Sequence, residues 1–291
     1  MAEKIYIGVD LGGTTITAGA VEEHTLLSEK TVRTKRERST EEISGAIIDL
    51  IEEVSSGYDI GGIGIGVPNP AGPESNRLVM VINIPSLEGF PLKSQVSDHF
   101  KVPVVLENDA NCMAFGELCT GGLKGCSNGV CVTLGTGLGC GVIIEGKLYR
   151  GAGYSAGEIW NIPGRDGLLL EDSVSLRSLK DRVKLATGCD TSLSKIRAMY
   201  DNGDSAVLEV FDHYGEAVGA VMVLIISCYD PERIVIGGGV STAFDTFRPG
   251  MMRVVEKSWG EQPDDRIIPA VLSLRTALLG AAGLAREASN E

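Results

Sequence analysis

Three short glycine-rich segments stand out, because each follows a short apolar run and could bind phosphate. Glycine lacks a Cβ atom, so backbone N–H groups in such a turn can approach a phosphate closely. Threonine hydroxyls beside two of the turns would add neutral donors. One such turn is weak evidence, but three in one chain predict a bound nucleotide. The residues are Gly12, Gly13, Thr14 and Thr15; Thr133, Gly135, Thr136 and Gly137; and Gly237, Gly238 and Gly239.

Two common nucleotide-binding motifs do not account for these turns. The sequence contains no G-x-x-x-x-G-K-[ST], which excludes a P-loop. The turn at Gly12 is followed by a strand-like segment rather than a helix, which argues against a dinucleotide-binding fingerprint. The turns therefore indicate a different class of nucleotide-binding fold.

Two aspartates lie where predicted strands end. Asp10 precedes the first turn, where a carboxylate could hold Mg²⁺ against the nucleotide, directly or through water, or could cap the turn. Asp109 lies in Glu107–Asn111, where a strand changes to a helix. It could accept the proton of an attacking hydroxyl, or simply accept a backbone N–H as a helix cap. The positive end of the helix would keep the carboxylate ionised in both cases, so the residues alone leave both roles open.

Composition excludes several classes of function. The 291-residue chain has a formal net charge of −13, whereas a protein that binds nucleic acid or an anionic membrane needs a basic face. We therefore expect neither partner. No apolar stretch is long enough to span a bilayer, and the first residues lead directly into a strand-like segment. These features predict a cytoplasmic protein.

Seven cysteines and three histidines are dispersed along the chain. The number of cysteines is odd and no two have C-x-x-C spacing, which is typical of neither a disulfide framework nor a zinc ribbon. We expect buried or unreactive thiols and assign no metal to the histidines.

Helices are predicted where apolar residues recur at helical spacing. Ser39 and Glu42 have the pattern of a capping box at the start of one helix. Leu92–Phe100 reads as a second helix. Ala206–Tyr229 is apolar nearly all round, which predicts a core helix. The closing helix Thr276–Ala288 is rich in alanine and glycine, which permits close packing.

The strands show an internal repeat. Val9–Thr14 and Val132–Gly137 share one order: an apolar strand, a polar residue, leucine and a turn of small residues. The repeat indicates a duplicated supersecondary unit with a lobe boundary near Asp109. Together with the three glycine turns, it predicts an α/β fold of two lobes around a cleft that holds the nucleotide. We expect one lobe over residues 1–108 plus a returning helix at about 276–291, and the other over residues 109–275. Strands are predicted at Ile5–Val9, Ile16–Val21, Leu26–Thr34, Ile60–Val67, Val102–Leu106, Val130–Leu134, Gly139–Glu145 and Arg233–Ile236.

Five segments, spread over nearly the whole chain, match the motifs of one known family. They are Asp10–Thr14, Asn83–Pro85, Glu107–Asn111, Leu134–Gly139 and Asp230–Gly239. Together they resemble the ROK family of sugar kinases and repressors, within the actin-like, ribonuclease H-like ATPase superfamily. In order along the chain, they are similar to the first phosphate motif, a segment near the sugar, the catalytic segment, the second phosphate motif and the adenosine-side segment.

The resemblance implies ATP-dependent phosphorylation of a hexose hydroxyl in an enzyme that acts as a homodimer. Glucose is the leading substrate, with an N-acetylhexosamine or fructose as alternatives. Asp109 would be the base and Asp10 would serve Mg²⁺, while the glycine-rich turns named above would bind ATP. The sugar-binding residues would be Asn83, Asn108, Glu158, Asn161 and Glu171.

One segment departs from the family pattern. The family usually has Glu-x-Gly-His and then a cysteine cluster that binds a structural zinc, whereas this chain has Glu158–Asn161, with the sequence Glu-Ile-Trp-Asn. Asn161 can hydrogen-bond a hydroxyl but is a poor zinc ligand, and no cysteine lies between Cys140 and Cys189. We therefore expect no zinc, and we expect Trp160 to pack where a zinc-binding loop would lie.

Three alternatives remain. A sugar-sensing repressor of the family would carry a helix-turn-helix before the first phosphate motif, and a motif that begins at Asp10 leaves no room for one. A catalytically weakened sugar-binding or regulatory protein is suggested by the altered segment at Asn161. Another superfamily member, an acetate-kinase-like or activator ATPase, would share the glycine turns but not the sugar-binding carboxylates.

Overall fold

The computed structural model describes residues 4–34, 38–68, 78, 84–164, 167–271 and 274–290, which form an α/β fold. Two short 3₁₀ helices in these ranges cover Pro85–Leu87 and Gly239–Ala243. The strands are β1 (Ile5–Leu11), β2 (Thr15–Glu22), β3 (Thr25–Arg33), β4 (Ile60–Val67), β5 (Val104–Asn108), β6 (Gly129–Leu134), β7 (Leu138–Ile144), β8 (Lys147–Leu148), β9 (Arg233–Gly237) and β10 (Ile267–Pro269). The helices are α1 (Thr40–Ser55), α2 (Leu92–Phe100), α3 (Asp109–Thr120), α4 (Leu170–Val174), α5 (Leu176–Thr187), α6 (Leu193–Asp201), α7 (Ser205–Tyr229), α8 (Phe244–Trp259) and α9 (Leu274–Asn290).

The chain divides into two compact units. The first contains Met1–Gly125, Gly141–Ala156 and Leu272–Glu291, and the second contains Cys126–Cys140 and Gly157–Val271. This division differs from the boundary that the sequence predicts at Asp109. The difference arises because α3, which Asp109 opens, packs against α9 within the first unit.

A five-stranded sheet of order β3-β2-β1-β4-β5 forms the centre of the first unit. β1, β2 and β3 are an antiparallel meander, and β4 and β5 continue the sheet parallel to β1. Apolar side chains of these strands form the core with α1 and α2. The predicted capping box of α1 is confirmed: Ser39 Oγ accepts the N–H of Glu42, and Glu42 Oε2 accepts the N–H of Ser39.

Helix α9 lies on this sheet and on α3 at very short range. A Cβ atom on Gly64 of β4 would lie 1.9 Å from the carbonyl oxygen of Ala281. A Cβ atom on Gly280 would lie 1.8 Å from the carbonyl oxygen of Cys112 on α3. Real Cβ atoms do not approach this closely, so only glycine permits these contacts. The closing helix predicted from the sequence thus completes the core of the first unit.

The second sheet repeats the order of the first. Its order is β10-β9-β6-β7-β8, with β6, β9 and β10 parallel to one another. In the first sheet, three strands that are consecutive in sequence (β3, β2 and β1) are followed by β4 and β5, which are parallel to β1. In the second sheet, β8, β7 and β6 are followed by β9 and β10, which are parallel to β6. The duplication predicted from the repeated turns is therefore confirmed.

Helix α7 is the core helix of the second unit, as its apolar sequence predicts. It packs against α5 and α8, and the hydroxyl of its buried Tyr214 donates a hydrogen bond to the carbonyl of Val174 at 2.6 Å. In the part of the chain that the structure describes, α7 is also the one helix long and apolar enough to cross a membrane. This finding corrects the expectation that no apolar stretch is long enough to span a bilayer. Since 56% of the most apolar stretch of α7 is buried inside the protein, its burial fits a core helix.

Candidate active site

The carboxyl ends of three parallel strands bring the acidic candidates of the first unit together. Asp10 on β1 pairs with Gly66 on β4, and Gly66 pairs with Glu107 on β5. Asp109 follows β5 directly and opens α3. Because ligand sites in parallel sheets form at this edge, the predicted base and the predicted metal ligand lie where a ligand would bind.

Asn108 is the residue that caps α3. Its Oδ1 accepts the N–H groups of Ala110 at 2.9 Å and of Asn111 at 3.1 Å. Asp109 Oδ1 also accepts the N–H of Ala110, at 2.7 Å. The simple capping role considered for Asp109 thus belongs mainly to Asn108, and both side chains lie at the positive end of the helix.

A buried carboxylate holds this segment in place. Glu107 is only 3% exposed, and its Oε1 accepts the N–H of Asn108 at 2.9 Å and the Nδ2 amide of Asn111 at 3.0 Å. Its Oε2 accepts Arg150 Nε at 2.6 Å. A buried charge that is paired and hydrogen-bonded costs much to disrupt. Glu107 and Arg150 therefore fix the backbone on which Asn108 and Asp109 lie.

The first-unit site has more negative than positive charge. Burial, together with the negative charge of Asp109, raises the pKa of Asp10 to about 7. Burial and then the charges of Glu107, Asp109 and Asp10 raise the pKa of the Cys112 thiol well above its usual value. Carboxylate oxygens with an excess of negative charge are ligands that suit Mg²⁺, so Asp10 fits the predicted metal role. Among the described residues, no group of three or more His, Cys, Asp or Glu could hold a metal ion alone.

The first glycine turn is tight, and its backbone is fixed. Gly12 N–H donates to the carbonyl of Thr15 at 3.0 Å, and Thr34 N–H donates to that of Thr14 at 2.9 Å. The hydroxyl of the buried Thr34 donates to the Gly12 carbonyl at 2.6 Å. Thr14 and Thr15 are exposed. The turn therefore holds these two threonines at the surface, next to the end of β1 that carries Asp10.

Two further glycine turns lie side by side in the second unit, at the carboxyl ends of β6 and β9. Thr133 on β6 pairs with Gly237 on β9. The next residue, Gly238, has φ of +80°, and a Cβ atom there would lie 2.4 Å from the carbonyl oxygen of Leu134. Gly239 is exposed. The nucleotide-binding candidates on these two strands therefore share one edge of the second sheet.

Glu171 contacts the turn at Gly135-Thr136-Gly137. This turn is closed by a 3.0 Å hydrogen bond from Gly135 N–H to the carbonyl of Gly137, and Thr136 at its tip is exposed. Glu171 Oε2 accepts the N–H of Leu138 at 3.0 Å. Glu171, expected to bind the sugar, therefore has one carboxylate oxygen already bonded beside a predicted phosphate turn.

Replacing Gly137 with alanine is expected to weaken nucleotide binding. The new Cβ atom would lie 2.3 Å from Glu171 Oε2, so the Glu171 side chain must shift and its bond with Leu138 N–H is weakened. That bond holds the turn in place and contributes roughly 1.5–3 kcal/mol as a bond to a charged group, so a turn held less firmly should raise the KM for ATP by up to about tenfold. Gly45→Ala on α1 is the control, since nothing lies within 4 Å of a Cβ atom there and the residue belongs to no predicted binding segment. Equal KM values for the two variants would contradict this explanation.

Glu158 is held by the indole of Trp160. Trp160 Nε1 donates to Glu158 Oε2 at 2.6 Å. Burial raises the pKa of Glu158, and the hydrogen bond from Trp160 lowers it. Burial and the nearby charge of Glu158 raise the pKa of the Cys140 thiol to about 12. Trp160, which stands where the family usually has glycine, therefore contacts a predicted sugar ligand directly.

The residues of this segment do not fit a zinc site. Asn161 is exposed and is a poor ligand for zinc. No cysteine lies between Cys140 and Cys189. The absence of zinc stays a prediction that rests on these residue types.

One contact of the site involves a residue that the sequence does not single out. Arg150 is 43 positions from Glu107, and nothing in the local sequence pattern links them.

The run from Gly153 to Gly157 has Gly-x-Ser-x-Gly spacing, as in a nucleophile elbow. However, it forms a loop rather than a turn between strand and helix, and the Ser155 hydroxyl donates to the Gly153 carbonyl. Asn83, expected near the sugar, lies outside the described residues.

Comparison with known proteins identifies sugar kinases as relatives. The model of the ROK family matches residues 6–288. A glucokinase of Streptomyces coelicolor is 35% identical, over 97% of this chain and 98% of the relative. An N-acetyl-D-glucosamine kinase of Citrobacter koseri is 30% identical, over 81% of this chain and 84% of the relative. The similarity thus extends over most of each protein.

A solved structure has the same fold. It is the crystal structure of a ROK family glucokinase from Streptomyces griseus in complex with glucose and AMPPNP. It superposes with a TM-score of 0.84 at 31% identity and covers 97% of this chain and 99% of that one. The two-lobed actin-like fold expected from the sequence motifs is therefore confirmed.

Proposed function

We propose a reaction for this chain from the premise that it belongs to the ROK family. The chain is a sugar kinase, which transfers phosphate from ATP to a hexose hydroxyl. Within that activity we propose glucose as the preferred sugar, since several of its relatives are glucokinases. N-acetylglucosamine is the first alternative, because other relatives phosphorylate it, and fructose is the second.

Asp109 is the proposed base. The observation that carries this assignment is its position: it opens α3 at the carboxyl end of β5, close enough to Asp10 for the two charges to interact. Its carboxylate would accept the proton of the sugar hydroxyl as that oxygen attacks the terminal phosphate. A weak base suffices, because phosphoryl transfer has a loose transition state and most of the catalysis is positioning and charge stabilisation.

The neighbouring residues have proposed roles that follow from their contacts. Asp10 would hold Mg²⁺, which neutralises charge on the phosphate oxygens when bound. Asn108 uses Oδ1 for the helix cap, so its Nδ2 would donate to a sugar hydroxyl. In the second unit, Glu158 and Asn161 would bind sugar hydroxyls, and Glu171 would do so with the oxygen that does not contact Leu138. Binding ATP would fall to the three glycine-rich turns, through Gly12, Gly13, Thr14 and Thr15; Thr133, Gly135, Thr136 and Gly137; and Gly238 and Gly239.

We further propose that the enzyme acts in the cytoplasm as a homodimer. A net charge of −13 disfavours nucleic acid and anionic membranes as partners. The homodimer follows from the family resemblance, and light scattering at several protein concentrations would test it.

The experiment that tests the proposed function is sugar-dependent ADP production. MgATP is supplied with glucose, N-acetylglucosamine or fructose, and ADP release without sugar is the control. We expect turnover on one sugar well above the release without sugar. Sugar and ATP binding without turnover would instead support the weakened sensor, and ADP release that ignores every sugar would support a different ATPase.

Replacing Asp10 with asparagine is expected to raise the Mg²⁺ concentration needed for half-maximal activity about tenfold or more, the usual effect of altering a metal's immediate surroundings. The fold should persist, because the change removes a buried negative charge that Asp109 repels. Activity is measured against Mg²⁺ concentration at fixed ATP. An unchanged Mg²⁺ requirement would assign the metal to other residues.

A further inference from the structure

Trp160 connects the two carboxylates of the second-unit site. Its indole Nε1 donates to Glu158 Oε2 at 2.6 Å, and its backbone carbonyl accepts the N–H of Glu171 at 3.2 Å. Glu171 in turn accepts the N–H of Leu138 beside the glycine turn. One residue therefore links Glu158 to the segment that reaches the predicted phosphate turn.

The loop that carries Trp160 has a defined conformation. Ile159 N–H donates to the carbonyl of Gly157 at 2.7 Å, in a tight turn where Gly157 has φ of +84°. Ile162 N–H donates to the carbonyl of Ile159 at 3.2 Å, and Leu170 N–H donates to that of Ile162 at 2.9 Å. Hydrogen bonds on both sides thus fix the backbone at Trp160, and a fixed backbone limits where the indole can point.

We propose that Trp160 is a positioning residue that holds the Glu158 carboxylate in one orientation for the sugar. This inference rests on the proposed function, in which Glu158 binds a hexose hydroxyl. An indole N–H is a donor only, so its hydrogen bond takes one acceptor site on Oε2 and fixes the direction of the carboxylate. The carboxylate therefore hydrogen-bonds the sugar in one fixed geometry and does not rotate to bind other hydroxyls.

The charge state of Glu158 supports the same role. Its burial raises the pKa, and the hydrogen bond from Trp160 opposes that rise. The titratable group that faces it is the buried Cys140 thiol on β7. Trp160 thereby favours the ionised carboxylate, which only accepts hydrogen bonds and so must be matched with donors on the sugar.

The first test is a double-mutant cycle on kcat/KM for glucose. Trp160→Phe keeps the ring and removes the N–H donor, and it should raise the KM for glucose about tenfold while the KM for ATP changes less than about twofold. In a Glu158→Ala background the same change should have almost no further effect, because the tryptophan acts through that carboxylate. Additive effects, or equal losses for glucose and ATP, would overturn the proposal and indicate a purely structural role.

The second test is a direct signal from the indole. The chain has two tryptophans, and Trp259 is half-exposed at the end of α8, so Trp259→Phe leaves Trp160 as the only tryptophan to be excited selectively and should not change activity. We expect glucose to shift the emission of this variant, and Glu158→Ala to abolish the shift. Glucose binding by calorimetry with no change in emission would overturn the proposal.

The two hypotheses fail in different ways. If the wild-type enzyme turns over no hexose, the proposed function fails, yet a sugar-induced emission change that depends on Glu158 would still support the role of Trp160. If the enzyme phosphorylates glucose but Trp160→Phe leaves its KM unchanged, the proposed function stands and the positioning role is wrong.

Discussion

Replacing Asp109 with asparagine is expected to lower kcat for hexose phosphorylation by about 10³-fold, within the usual contribution of a general base. Asparagine has nearly the same shape but cannot accept the sugar proton. The change should leave the fold intact, because an amide oxygen can still accept the Ala110 N–H that Asp109 Oδ1 accepts. The helix cap on Asn108 is also untouched. Binding of sugar and ATP should therefore remain near the wild-type values.

The measurement is steady-state ADP production, with sugar and nucleotide binding followed by calorimetry. Asp98→Asn is the matched control, since Asp98 is an exposed carboxylate of α2 in the same unit, and it should leave kcat unchanged. If Asp109→Asn keeps more than about a tenth of kcat, Asp109 is not the base. Loss of sugar binding together with kcat would give Asp109 a binding role instead.

Replacing Gly280 with alanine is expected to destabilise the protein by about 3 kcal/mol, the upper end of the usual cost of overpacking. The new Cβ atom would lie 1.8 Å from the Cys112 carbonyl oxygen and 2.7 Å from the Gly116 nitrogen. Gly116 of α3 is also very close to α9, since a Cβ atom added there would lie 2.0 Å from the carbonyl oxygen of Thr276. Both obstacles are helix backbone, so α3 and α9 must move apart.

Thermal unfolding followed by circular dichroism measures this effect. Gly45→Ala is the control: it also places alanine inside a helix, α1, but nothing lies within 4 Å of its Cβ atom. That control should be neutral or more stable by up to about 1 kcal/mol, because alanine favours the helix. A similar melting temperature for both variants would show that the approach of α3 and α9 is looser than these distances.

Much of the fold can be predicted from local pattern. Ile60–Val67 and Leu92–Phe100 have the bounds that their apolar spacing predicts, and α3 begins at Asp109 as expected. The strand predicted over Val102–Leu106 instead runs over Val104–Asn108. The reason is long-range pairing: Glu107 and Asn108 look like a polar strand end, but their backbones pair with β4.

Helix α8 is an element that its local sequence argues against. Pro249 and Gly250 lie inside it, and in a sequence both residues indicate a helix break. The structure explains the glycine through packing, since a Cβ atom on Gly250 would lie 2.3 Å from the Asp212 carbonyl of α7. A tertiary contact of this kind overrides local propensity and cannot be read from the segment itself.

In the candidate site, some residues can be predicted from the sequence, whereas the contacts between them cannot. The residue types and strand-end positions of Asp10 and Asp109 suggest their chemistry beside an equally simple capping role, and Glu158 is found through the family resemblance. Their partners do not follow from sequence. Arg150 reaches Glu107 across 43 positions, and whether Trp160 bonds Glu158 or packs elsewhere depends on the path of the whole loop.

The position of α9 in the chain has a consequence for biosynthesis. A ribosome releases α9 after every other element described here, yet this helix covers β1, which is released first. The second unit lies wholly between Cys126 and Val271, so all its segments emerge before the first unit can acquire its final helix. Domains usually fold in the order of their synthesis. In this enzyme the unit that starts first must finish last, and its uncovered sheet is the surface that a chaperone would have to shield during translation.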